Sequence, residues 1–201
     1  MTRCRIEVSG GFLFLAALLY YLDADGVVLW ALLACALHEL GHLTAIHLLG
    51  GGVTRLRLTA AGAELHLSAV RPLPPGRLFL AALAGPAVNL AAALFSARLA
   101  RIGLEERFYL FAGLNLGLAV LNLLPVGWLD GGRALISLAE MMGKPEAGHR
   151  LTEICAVGFA AALTFFGSLL LWQSGGRNFT LLITGLWMAG MAKQERKNGT
   201  F

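Results

Sequence analysis

Three stretches of the chain carry no charged residue: Leu78 to Ala97, Phe108 to Leu129 and Ile154 to Gly176. Each is long enough for the roughly 20 helical residues that cross a hydrocarbon core. Shorter apolar runs lie on either side. The pattern predicts six spans: Ile6–Leu22, Val27–Leu49, Leu78–Leu99, Phe108–Leu124, Ile154–Trp172 and Phe179–Ala192. The first is short, with Glu7 near one end, and the sixth is the least apolar. The expected fold class is an all-α polytopic membrane protein of six transmembrane helices.

One segment breaks the helical pattern. Val53–Thr59 and Glu64–Ser68 alternate apolar and polar residues, the period of a strand. A loop over Ala60–Ala63 would join them into a β-hairpin of about residues 53–68, between the second and third spans. Pairing Thr59 with Glu64 sets Leu58 opposite Leu65, Leu56 opposite Leu67 and Arg57 opposite His66. Pro72, Pro74 and Pro75 exclude regular structure before the third span.

Charge orients the spans. With both termini in the cytosol, the inner segments carry 12 Lys and Arg: Arg3, Arg5, Arg55, Arg57, Arg71, Arg77, Arg133, Lys144, Arg150, Lys193, Arg196 and Lys197. The outer segments carry 4: Arg98, Arg101, Arg107 and Arg177. Basic residues favour the cytosolic side, so this asymmetry supports six spans with both ends inside. A mean hydropathy of +0.70 argues against a soluble domain. The 201 residues are read as a single domain, with an uncleaved first span because no small-residue cleavage site follows it. No basic stripe suggests nucleic acid. Cys4, Cys35 and Cys155 are too scattered for a disulfide framework or a zinc ribbon.

The candidate chemistry sits inside the second span. His38-Glu39-Leu40-Gly41-His42 is an H-E-x-x-H pattern. Residues four apart share a helix face, so two imidazoles can grip one metal ion. Glu39 lies beside them, placed to take a proton from an attacking water. Ionisable groups inside a span are costly and mark function. The competing use, two buried histidines bonded to carbonyls, leaves Glu39 unexplained.

Catalytic zinc takes a third protein ligand. Glu64, His66, Cys35 and Asp130 are the candidates. Asp130 follows the end of the fourth span, in Asn122-Leu-Leu-Pro-Val-Gly-Trp-Leu-Asp130-Gly-Gly. The second and fourth spans run in the same direction, which sets Asp130 and the His38–His42 pair at similar depth near the cytosolic face. Pro125, Gly127, Gly131 and Gly132 break the helix there and let the chain turn back. Asp130 is the expected third ligand; its ordinary use would be to cap a helix starting near Gly131. Cys35 reads as a small buried thiol, and His47, His66 and His149 as packed or solvated.

HELGH together with NLLPVGWLDGG resembles the site-2 protease family of intramembrane zinc metalloproteases (M50-type). Ala84-Gly85-Pro86-Ala87-Val88-Asn89 is similar to its G-P-x-x-N element. Six spans with motifs in the second and fourth look most like the stage IV sporulation protein FB group. The resemblance implies one Zn2+ held by His38, His42 and Asp130, with Glu39 as the catalytic acid/base. It gives Asn122 a role near the substrate backbone or the oxyanion, against an equally reasonable inter-helix hydrogen bond. Asn89 is expected to hold helices together. The implied substrate is a membrane-associated protein, such as a pro-sigma factor, with inhibitory membrane proteins as partners. No CBS or PDZ domain is expected. The rival reading is a membrane metal transporter or metal sensor without hydrolase activity, although transporters tend to show internal repeats and none is seen here. A protease-like binding protein is a third reading, weakened by the intact Glu39.

Overall fold

The computed structural model describes residues 5–59, 62–103, 105–175 and 178–198, with side chains given as far as residue 191. The chain forms two compact units, 1–124 and 125–201.

The first unit runs β1 (Arg5–Val8), α1 (Gly10–Leu22), α2 (Val27–Leu48), β2 (Val53–Thr59), β3 (Gly62–Leu67), α3 (Pro75–Arg101) and α4 (Arg107–Asn122). The expected first span is therefore shorter than the apolar run suggested. Residues 5–8 form a strand that pairs in parallel with β2, Ile6 against Leu56 and Val8 against Leu58. Parallel neighbours need a crossover, which α1 and α2 supply. Ser9 ends the strand by donating its N–H to the Leu58 carbonyl (2.9 Å) and starts α1 by accepting from the Phe12 N–H (3.2 Å). With 13 residues, α1 reaches about 20 Å. The start of α2 is capped from a distance. Both carboxylate oxygens of Asp23 accept backbone N–H groups, from Val27 at 2.9 Å and Val28 at 2.7 Å. Gly26, at φ +70, makes the turn that permits this.

The hairpin forms, in a different register from the one expected. Thr59 faces Gly62, Arg57 faces Glu64 and Leu56 faces Leu65. The slip is two residues, so every side chain keeps its face, and alternation alone cannot exclude it. It sets Arg57 within 3.8 Å of Glu64 rather than opposite His66. The connection at residues 60 and 61, part of the expected loop, lies outside the described residues. The sheet order is β1-β2-β3, so β2 is central. Glu7 adds ion pairs to Arg5 (3.3 Å) and Arg55 (3.5 Å) on the exposed face. Ile46, Leu73 and Ala81 form an apolar cluster joining the end of α2, the approach to α3 and, through Val53 and Leu65, the hairpin.

In the second unit α5 (Asp130–Met141), α6 (Pro145–Gln173) and α7 (Thr180–Asn198) pack in sequence. Here α5 is a helix beyond the six expected spans, and α6 begins nine residues earlier than the span foreseen at Ile154. Glycines set the approach of these helices. A Cβ at Gly148 would lie 2.7 Å from the Ala139 methyl, and one at Gly167 would lie 2.5 Å from the Leu182 nitrogen.

The burial pattern inverts that of a water-soluble protein. Most interior positions are small or polar: Ala34, Ala81, Ala93, Ala119, Ala156, Asn89 and Asn115 are buried. Large apolar side chains such as Phe14, Leu94, Phe95 and Trp172 are exposed. Lipid tails are as apolar as leucine, so membrane helices associate through small residues and polar contacts instead. Among the described residues, three helices, Val27–Leu48, Pro75–Arg101 and Pro145–Gln173, are long and apolar enough to cross a bilayer. The chain is a mainly helical membrane protein with a small three-stranded sheet.

Candidate metal centre

The buried residues of α2 are Ala34, His38, Gly41, His42 and Ile46, one stripe along the helix. It presses on α3 at close range. A Cβ at Gly41 would lie 2.9 Å from the Ala84 carbonyl oxygen and 3.1 Å from Gly85 Cα. The missing side chains at Gly41 and Gly85 let the two backbones meet. Pro86 leaves the carbonyl of Ala82 without its usual helical donor, next to the stretch that faces His42.

This approach fixes both imidazoles. His42 Nδ1 lies 2.8 Å from the Ala81 carbonyl oxygen. His38 Nδ1 lies 2.8 Å from Asn89 Oδ1. Carbonyl and amide oxygens can only accept, so each Nδ1 carries the proton and donates. In the neutral ring Nε2 then holds the lone pair, the state that ligates metals. The two Nε2 atoms face one another at 3.1 Å. Two lone pairs at that separation repel unless a cation or a proton lies between them. A tetrahedral zinc with bonds of about 2.0–2.1 Å would hold two nitrogens about 3.3 Å apart, so the pair fits such an ion.

Glu39 follows His38 on α2 and is half-buried. Cys35 is exposed, which corrects its reading as a buried thiol. Ala34, a full four residues before His38, takes the buried position instead. His47 and His66 are exposed, as expected of solvated or peripheral groups; His149 lies within α6 and is half-buried.

Asp130 is the first residue of α5 and is buried. It begins the helix without acting as its N-cap, a position that Leu129 holds. The turn before it is tight: Leu129 donates its N–H to the Val126 carbonyl (2.8 Å), and a Cβ at Gly132 would collide with that same carbonyl. Arg133 approaches the carboxylate at 4.0 Å. Asn122, in the last turn of α4, donates from Nδ2 to the Leu118 carbonyl of its own helix (3.0 Å). The inter-helix hydrogen bond considered for Asn122 is not the one this contact makes.

One residue of the centre escaped the sequence reading. Asn115 of α4 is fully buried and accepts from Asn89 (2.9 Å). Its signal was present, an amide midway along a largely apolar helix.

Known proteins match the chain over part of its length. Residues 93–166 match the model of peptidase family M50, a stretch that includes Asn122 to Asp130. The stage IV sporulation protein FB of Bacillus subtilis is 29% identical over 156 residues, covering 75% of this chain and 54% of that protein. The chain resembles peptidase family M50 over residues 93–166. A Chlamydia trachomatis protein provisionally named a zinc metalloprotease is 34% identical over 113 residues, 56% of this chain and 18% of that one. The chain therefore spans about half the length of the sporulation protein and less than a fifth of the chlamydial one. The solved structure of the site-2 protease from Methanocaldococcus jannaschii superposes with a TM-score of 0.68 at 19% identity, over 97% of this chain and 92% of that one, which shows a shared fold.

In the G-P-x-x-N element, Gly85 bears on the imidazole pair as well as Asn89. A Cβ at Gly85 would collide with His42 Nε2 and lie 2.7 Å from Cε1. Gly85→Ala should therefore turn the His42 ring away and weaken metal binding by at least about tenfold, as expected for displacing a ligand or its support. Metal titration of the purified variant checks this; wild-type affinity would show that the ring has room to move.

Proposed function

We propose that this chain is an intramembrane zinc endopeptidase that hydrolyses a peptide bond of a membrane-associated protein. The observation that carries the reading is the pair of imidazole Nε2 atoms facing each other at 3.1 Å, both rings held by acceptors at Nδ1. The resemblance to peptidase family M50 and the adjacent Glu39 favour a hydrolytic use of that site.

In this reading His38, His42 and Asp130 hold one zinc ion. Two imidazoles and a carboxylate suit that metal. Asp130 is assigned by the D-G-G motif and by its place within the family match. When bound, zinc makes water more acidic and polarises the scissile carbonyl. Glu39 takes the proton from the attacking water and returns it to the leaving amine. Asn122 lies near the substrate backbone, where its second amide hydrogen can donate to the oxyanion. Relatedness to a sporulation protein favours a pro-sigma factor as substrate and inhibitory membrane proteins as partners. A transport site would use the same ligands with no need for a carboxylate beside them, and Glu39 tells against that alternative.

Co-expression with a membrane-associated pro-sigma substrate tests the chemistry. Wild type should cleave it, and Glu39→Gln should lower the rate by about 10²- to 10⁴-fold, the usual contribution of a general base, while purified protein keeps its metal. Cleavage by both forms would assign the activity to the host and overturn the reading.

The proposed topology has six spans, both termini in the cytosol and the active site near the cytosolic face. The 12 to 4 division of basic residues supports it. Reporter fusions at either terminus should both report the cytosol. Opposite sides would require an odd number of spans.

A scissile bond inside a helix must first be unwound. With β2 central, β3 carries the free edge of the hairpin, where an extended peptide can add as a strand. Single prolines along Gly62–Leu67 should slow cleavage wherever they remove an outward N–H. If none of them changes the rate, strand addition at this edge is refuted.

A further inference from the structure

The buried amides of α3 and α4 form a directed chain that ends on His38. Asn115 donates from Nδ2 to the Phe111 carbonyl of its own helix at 2.9 Å. That carbonyl only accepts, so Asn115 must turn Oδ1 toward α3. Asn89 donates from Nδ2 to Asn115 Oδ1 (2.9 Å) and to the Ala34 carbonyl of α2 (3.2 Å). Both partners again only accept, which leaves Asn89 Oδ1 to face His38 Nδ1 at 2.8 Å. Flipping the Asn89 amide would set an oxygen against two oxygens and an NH2 group against the imidazole. Both asparagines are fully buried, so no solvent hydrogen bond compensates for a flip.

We infer that Asn115 and Asn89 are positioning residues that select the Nδ1–H tautomer of His38 and so aim its Nε2 lone pair at the metal. The inference rests on the reading of His38 as a metal ligand. Without an acceptor at position 89 the ring is free to protonate at Nε2, the form that cannot ligate. Asn89 is therefore more than inter-helix glue: its oxygen acts on the ligand and its NH2 group sets which way that oxygen points. Asn115 touches no ligand and acts through Asn89.

The test is cobalt(II) titration of the purified full chain in detergent, followed by the visible absorption of bound cobalt, with thermal unfolding of the metal-free protein as a control for folding. Asn89→Leu removes the acceptor at similar volume and should weaken cobalt binding by about 10- to 100-fold. Asn89→Asp restores an acceptor for Nδ1–H, although it cannot donate to Ala34 or Asn115, and should bind at least tenfold more tightly than Asn89→Leu. Asn115→Leu, which leaves the Ala34 contact to orient Asn89, should show a smaller loss. The relay is overturned if Asn89→Leu binds as wild type does, or if Asn89→Asp is as weak as Asn89→Leu, since packing alone would then account for the position. In both cases His38→Ala must still abolish wild-type binding. Cobalt binding that His38→Ala leaves unchanged, or none in wild type, would instead remove the metal reading and the relay with it.

Discussion

In a helix bundle surrounded by lipid, a polar side chain must find its partner within the protein. Every feature of the centre on α2 follows from this. His38 and His42 cannot borrow water for Nδ1, so α3 supplies an amide oxygen and a carbonyl. A buried donor or acceptor left unpaired costs about 1–3 kcal/mol. That penalty is why the partners sit at 2.8 Å with defined polarity, and why the lone pairs at Nε2 are left to converge.

Partners at that distance require helices that nearly touch. Gly41 and Gly85 provide the space, and alanines line much of the remaining interior. The large apolar residues are relegated to the outside, where lipid serves them as well as a core would. Small residues and buried amides are thus one device: the first permit the contact that the second make specific.

The hairpin shows a different balance. Its strands follow directly from alternation, and its faces were read correctly. Its register was not, because a two-residue slip conserves every face and the choice falls to the turn and to pairs such as Arg57 and Glu64. Nor did local pattern reveal that residues 5–8 join the sheet. A four-residue strand of alternating charge and aliphatic side chain has no identity until β2 lies beside it.

By itself the sequence determined the solvent, the helical class and the shared face of His38 and His42. Uncharged runs of helical length admit few other folds in a bilayer, and H-E-x-x-H states its own geometry because a helix places residues four apart on one face. The position of Asp130 behind a glycine- and proline-rich break was readable for the same local reason. Tertiary structure decided what no local pattern encodes. It put α1 after a strand, exposed Cys35 while burying Ala34, and gave Asn89 and Asn115 a direction. An amide in an apolar helix announces that it has a partner. Which partner, and which of its two ends points there, depends on carbonyls contributed by other helices, and only their packing fixes that.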